Sequence, residues 1–352
     1  MTTTLHGGRF TLSQPEREAK LLPELAELTA HHYASCAPYA RILAAMNESP
    51  RRDYAHCRDL PWLPVRLFKH HTFKSVPDAE VFTTVTSSGT TGDASRIYLD
   101  RAAASMQQRA LSETLRTVIG PHRLPMLIAD SSATVARGGT HSTRGAAILG
   151  MMMYGKNHTF LLDADNRLDL PAVRGFLAAH GDRPFLVFGF TYLVWSRLHP
   201  VLVEEGLDLS NGVLVHTGGW KKLADRAVSA REFRQGLALS GLRRVHDFYG
   251  MAEQIGTVFL QGPDTHDLYC PDFADVIIRD PQTWREAPVG TPGVIEVLST
   301  LPRSYPGHVL LTEDIGVVHG VDDGEWPGKR FSVLGRLPRA EARGCSDAVG
   351  TP

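Results

Sequence analysis

The chain has 352 residues, 43% hydrophobic and 21% charged, with a formal net charge of −1. That size and balance fit one large or two ordinary globular domains, and they exclude a broad basic field for nucleic acid or a polybasic membrane tether. No apolar run approaches the length of a membrane span. The N-terminal Met1–Phe10 lacks the apolar core of a signal peptide. The four cysteines, Cys36, Cys57, Cys270 and Cys345, lie far apart with no Cys-x-x-Cys pair. This spacing argues against a disulfide framework and for a reducing, cytoplasmic setting.

Ser13-Gln-Pro-Glu16 is a capping box with proline in the first turn, and it opens a helix carrying Leu21, Leu22, Leu25 and Leu28. A second helical stretch covers Tyr39 to Met46, and Leu60-Pro-Trp-Leu-Pro64 ends the helical pattern. From Val81 the chain alternates strands and helices. Asp100 caps a helix with Met106, Leu111, Leu115 and Val118 on one face, ending near Gly120. Pro125–Ala129, Phe185–Gly189, Val213–His216 and Arg244–Phe248 read as buried strands. A helix is expected from Gly145 through Met153, and another from about Lys222 to Leu239. Strands feeding polar, glycine-bearing loops and then helices predict a doubly wound, mostly parallel α/β sheet. Ligands of such sheets collect at the carboxyl ends of the strands. After about Val258 the helices stop and short strands follow: Ala274–Ile278, Gly293–Leu298, His308–Leu311 and Phe331–Leu334. The expected division is a helical region 1–75, an α/β nucleotide- and acyl-binding core 76–257, and a β-rich subdomain with a short tail 258–352.

The segment Thr86–Arg96 concentrates the chemistry. Between the β-rich Val81–Val85 and Ile97–Leu99 it places Ser87, Ser88, Gly89, Thr90, Thr91 and Gly92. The glycines let backbone N–H groups approach an anion, and the hydroxyls donate to phosphate oxygens. No lysine follows Gly92 and the next segment reads as a strand, so this is not the common P-loop. Taken alone, such a cluster reads equally as a turn.

Later segments decide between the two. His216-Thr-Gly-Gly-Trp-Lys221, Tyr249-Gly-Met-Ala-Glu-Gln254, Ala274–Asp280, Ser304-Tyr-Pro-Gly-His308, Leu311-Thr-Glu-Asp314, Gly335-Arg336 and Ala340–Asp347 follow in order. With the Ser/Thr/Gly loop they resemble the adenylate-forming superfamily. The closer likeness is to the acyl-protein synthetase family of the bacterial luminescence system (LuxE-like), the synthetase partner of fatty acid reductase. The likeness runs from about residue 70 to the C-terminus.

The resemblance implies ATP-dependent activation of a carboxylic acid (fatty, aromatic or amino acid) as an acyl-adenylate, then transfer to a protein thiol. It implies Mg²⁺ as the metal ion beside ATP. Ser87–Gly92 would cradle the β- and γ-phosphates, with Arg96 as the cation at the loop's end. Glu253 would hold Mg²⁺, and Tyr249, with Gly250 and Met251, would lie at the adenine. Asp314, with Glu313 as its competitor, would accept from the ribose hydroxyls. Arg336 would face ribose or phosphate. Gly218 and Gly219 would allow close backbone approach, and Lys221 or Lys222 would reach a phosphate.

Cys345, beside Arg343 and Gly344, matches the family's acyl-carrying cysteine. The other acceptors are an acyl-carrier protein, coenzyme A or an acyl reductase partner. Sixteen residues follow Arg336 and none is lysine, so the superfamily's mobile C-terminal domain is expected to be truncated, as in the acyl-protein synthetases. The acyl pocket is expected along Phe190–Trp195 and Gly150–Tyr154. The alternatives are a phenylacetate-type acyl- or aryl-CoA ligase and a non-catalytic partner subunit that keeps the nucleotide fold. Cys57, His246, His266 and Cys270 offer a zinc set without diagnostic spacing. A Ser–His–Asp hydrolase is excluded for want of a Gly-x-Ser-x-Gly elbow.

Overall fold

A computed structural model describes residues 10–50, 53–87, 94–136, 143–220, 227–263 and 265–337. The helix Gln14–Ser35 starts at the Ser13/Glu16 capping box and buries Leu21, Leu25 and Leu28. The helix Ala37–Ala45 follows it. Strands come next in chain order: β1 Leu63–Pro64, β2 Thr83–Thr86, β3 Arg96–Leu99, β4 Leu124–Ser131, β5 Gly155–Leu162, β6 Phe185–Phe190, β7 Gly212–Thr217 and β8 Arg244–Tyr249. They continue as β9 Phe259–Gln261, β10 Leu268–Tyr269, β11 Ala274–Arg279, β12 Gly293–Ser299, β13 Val309–Val321 and β14 Lys329–Arg336. Contacts divide the described residues into two units, one up to Thr114 and from Tyr249 onward, the other Leu115–Phe248. The expected boundaries at 75 and 257 mark changes of secondary-structure type, and the two units cut across them.

The Leu115–Phe248 unit is the doubly wound part. Its strands run in the order β5-β4-β6-β7-β8, all parallel. β6 is buried throughout, as a strand covered on both faces must be. The helices Thr143–Met152, Leu170–His180 and Ala230–Ala238 belong to this unit. The last begins only at Ser229, whose capping box with Glu232 sets its start. The core packs Leu127, Val187, Leu214 and Val245 against Val173, Phe176, Phe233 and Leu237.

The other unit is antiparallel, in the order β11-β12-β13-β14-β10-β9, with β1 added parallel to β13. β2 and β3 form a separate hairpin. The N-terminal helices pack in this unit, where Leu21, Leu25 and Leu28 meet Ile277, Leu298 and Val309. Arg17 is fully buried on the first helix, and its Nη1 donates to the carbonyls of Cys270, Pro271 and Ala274. No helix among the described residues is long and apolar enough to cross a membrane.

Candidate nucleotide and acyl site

In the antiparallel unit, the hairpin β2–β3 presents the Ser/Thr/Gly loop. Thr86 pairs with Arg96, and Ser87 N donates to Ser95 O at 3.0 Å. The Ser87 hydroxyl accepts from Ser95 N at 2.9 Å, which closes the mouth of the hairpin. Arg96 is exposed at the start of β3. Ser88, Gly89, Thr90, Thr91 and Gly92 lie outside the described residues.

β13 and β14 bring two of the expected residues face to face, with Asp314 opposite Arg336 in the ladder. Arg336 Nε donates to Asp314 Oδ1 at 3.2 Å, and Tyr249 Oη donates to Asp314 Oδ2 at 2.7 Å. Asp314 N is held by Thr312 Oγ1 at 3.1 Å. Burial, and then the Asp314 carboxylate, push the Tyr249 phenol well up, so it stays a proton donor. The Asp314 side chain is 14% exposed and that of Arg336 34%, so both meet water from a fixed geometry. Glu313, the competitor, instead pairs with Arg66 at 3.1 Å. Its neighbour Asp314 is thus the carboxylate gathered with Tyr249 and Arg336.

Glu253 sits in the turn Ala252–Gln254 that follows Tyr249-Gly250-Met251 and is 3% exposed. Gln254 anchors that turn through Nε2, which donates to Gly307 O at 2.8 Å and Val297 O at 3.2 Å. Gly256 takes φ +84, and a Cβ there would stand 2.6 Å from the Gln107 carbonyl oxygen. That position is closed to other residues. The donor chemistry fits a hard cation. Among the described residues no group of three or more His, Cys, Asp or Glu gathers into a metal cage. A single carboxylate completed by phosphate oxygens is the pattern Mg²⁺ takes. The absence of a cage includes Cys57, His246, His266 and Cys270, which do not gather into a zinc set among the described residues.

In the parallel unit, β7 ends at Thr217-Gly218-Gly219. Gly218 takes φ +84, and a Cβ on Gly219 would meet nothing within 4 Å. That leaves an open backbone approach. Lys221 and Lys222 lie outside the described residues. Just ahead of that glycine pair, His216 is buried in a fixed position. Its Nδ1 lies 2.9 Å from Thr191 Oγ1 and 3.6 Å from Asp247 Oδ1, with the Phe233 ring 4.8 Å away between centroids. Burial, then the charge of Arg234, bring its pKa down to about 3, so the imidazole is neutral at pH 7.

Arg144 also escaped the sequence reading. It is buried and forks onto Asp130 with Nε–Oδ2 2.6 Å and Nη2–Oδ1 2.5 Å. The signal for His216 was its place one residue before Thr-Gly-Gly; nothing local marks Arg144. Of the expected acyl-pocket segments, Phe190, Thr191, Leu193, Val194 and Met151 are buried, whereas Met153 is half-exposed. Cys345 lies outside the described residues.

The family described as acyl-protein synthetase, LuxE, matches residues 4–351. The long-chain-fatty-acid–luciferin-component ligase of Vibrio harveyi is 23% identical over 297 residues, which cover 82% of this chain and 76% of that protein. The enzyme of the same description from Aliivibrio fischeri is 21% identical over 307 residues, covering 84% and 79%. Among solved structures, an open conformation of 2-hydroxyisobutyryl-CoA ligase superposes with a TM-score of 0.69 at 17% identity, covering 93% of this chain and 76% of its own. That likeness is one of fold. The chain belongs to the LuxE acyl-protein synthetase family, ligases that activate a carboxylic acid with ATP as an acyl-adenylate and pass the acyl group to a thiol.

Proposed function

We propose that this chain activates a long-chain fatty acid, the acid named for its two curated relatives, and loads it onto a protein thiol. The observation that carries the nucleotide assignment is the meeting of Tyr249, Asp314 and Arg336 in the unit that also holds the buried Glu253. Asp314, oriented by two donors, has lone pairs left for the ribose hydroxyls. Arg336 adds a fixed cation toward ribose or phosphate. The Ser87–Gly92 loop and Arg96 cradle the outer phosphates. Gly218 and Gly219 allow close approach, and Lys221 or Lys222 would reach a phosphate. Tyr249 borders the adenine with Gly250 and Met251.

Glu253 would hold Mg²⁺, which when bound would neutralise triphosphate charge. The acid's carboxylate oxygen bonds to the α-phosphorus and the bond to pyrophosphate breaks. A thiolate then attacks the acyl carbonyl and AMP departs. The thiol is Cys345 or one on a carrier protein or acyl reductase partner.

Acid-dependent exchange of labelled pyrophosphate into ATP tests this, run with fatty, aromatic and amino acids and Mg²⁺. Exchange with long-chain fatty acids above the other classes is expected. No exchange with any acid would overturn the reading. Exchange with a fatty acid, but thioester formed faster with free coenzyme A than with any protein thiol, would overturn the acceptor.

A further inference from the structure

The segment Ser304-Tyr-Pro-Gly-His308 takes no part in the chemistry above, yet all of it is buried. Ser304, Tyr305 and His308 are polar side chains sealed inside a loop, a costly arrangement unless each has work to do. Their contacts reach two parts of the proposed site. On one side, Ser304 Oγ donates to Tyr98 O at 2.9 Å, and Tyr98 lies on β3, the strand leaving the Ser/Thr/Gly loop. Ser304 O also accepts from Ser75 N at 2.8 Å.

On the other side, Gly307 O accepts from Gln254 Nε2 at 2.8 Å, inside the Glu253 turn. A Cβ on Gly307 would stand 2.4 Å from Tyr305 Cε2 and 2.6 Å from the Glu253 carbonyl oxygen, so the turn rests directly on bare glycine backbone. Tyr305 is fully buried beneath it.

We infer that Ser304–His308 is a positioning brace that sets the Glu253 turn against strand β3 and so fixes where the proposed metal ligand stands relative to that strand. The inference rests on Glu253 being the Mg²⁺ ligand.

The test is calorimetric titration of ATP into the full chain, with and without Mg²⁺, alongside melting curves. Gly307→Ala is expected to lose about tenfold of the tightening that Mg²⁺ confers, the scale of a sub-ångström misplacement, with metal-free ATP affinity unchanged. Ser304→Ala, which keeps the backbone and drops only the bond to Tyr98, is expected to lose about threefold of it, a fraction of that scale. Gly175→Ala, where a Cβ meets nothing within 4 Å, is the control and should match wild type. A purely structural loop would lower the melting temperature of Gly307→Ala and leave the Mg²⁺ tightening intact, and that result overturns the brace. Should Gly307→Ala not fold, unchanged tightening in Ser304→Ala overturns it equally. Glu253→Gln separates the two levels. If it keeps the metal-dependent tightening, the Glu253 assignment falls; if it loses it while both loop variants keep it, the brace alone falls.

Discussion

Both units bury an arginine–carboxylate fork, Arg279–Glu296 in the antiparallel one and Arg144–Asp130 in the parallel one, and the antiparallel unit adds a pair that still meets water. In the antiparallel unit, Asp314 and Arg336 are paired but still meet water, so their charge remains available to a ligand. In the parallel unit the strong pair is Arg144–Asp130, both buried, each neutralising the other through a bidentate fork. Its strand-end histidine, His216, is sealed and neutral. A triphosphate needs fixed, accessible charge. The accessible Asp314–Arg336 pair therefore fits the nucleotide role proposed for it.

Four substitutions probe this contrast. Asp130→Ala should destabilise the protein by about 3–5 kcal/mol, the cost of stranding Arg144. Chemical denaturation reads it, and a loss below about 1 kcal/mol would mean the fork carries little. Glu253→Gln should cut acid-dependent exchange about a hundredfold or more, as for removal of one transition-state electrostatic partner, with little change in melting temperature. Unchanged exchange would move the metal assignment elsewhere. Asp314→Asn should raise the KM for ATP about tenfold, in line with about 1.5–3 kcal/mol for a charged hydrogen bond, and leave the KM for the acid alone. A matching rise in the acid's KM would mean that Asp314 serves the acid as well as the nucleotide.

The smallest effect concerns what the units share, a buried neutral histidine. His308 in the antiparallel unit has its pKa pushed down by burial to about 3, like His216. On acidification the unfolded chain takes up these protons near its ordinary value while the folded chain does not. The contribution to stability is therefore complete above about pH 7 and is lost as pH falls from about 6.5 toward 3. Between pH 7 and 6 each histidine should account for about 0.7 kcal/mol. His308→Gln should flatten the pH dependence of denaturant unfolding by that amount. An identical slope in both proteins would remove His308 from the account.

Much of the candidate site is legible in the sequence because its residues are local signals. Tyr249-Gly-Met-Ala-Glu253 and Leu311-Thr-Glu-Asp314 are short frames, and the capping boxes at Ser13 and Ser229 mark helix starts. The strand β5 went unread because its middle, Lys156-Asn-His158, is polar and partly exposed, as the edge strand of a sheet can be. β13 was read only as His308–Leu311. Thr312, Glu313 and Asp314 look like a loop, yet they continue the strand to Val321, which is what lets the ladder place Asp314 opposite Arg336. The helix expected from Lys222 begins only at Ala230 in the described residues, where Ser229 supplies the cap.

By itself the sequence determined the alternation of strands and helices, the family, and the residue types proposed to handle ATP. Each is written in spacing over a few positions, and hydrophobic period and turn chemistry act locally. Tertiary structure alone decided which carboxylate is gathered with Tyr249 and Arg336. It also decided that Glu313 pairs with Arg66 and that Arg17 is spent on backbone carbonyls near Cys270. Those partners lie up to hundreds of residues apart, and only the strand register and packing of the folded chain bring them within hydrogen-bonding distance.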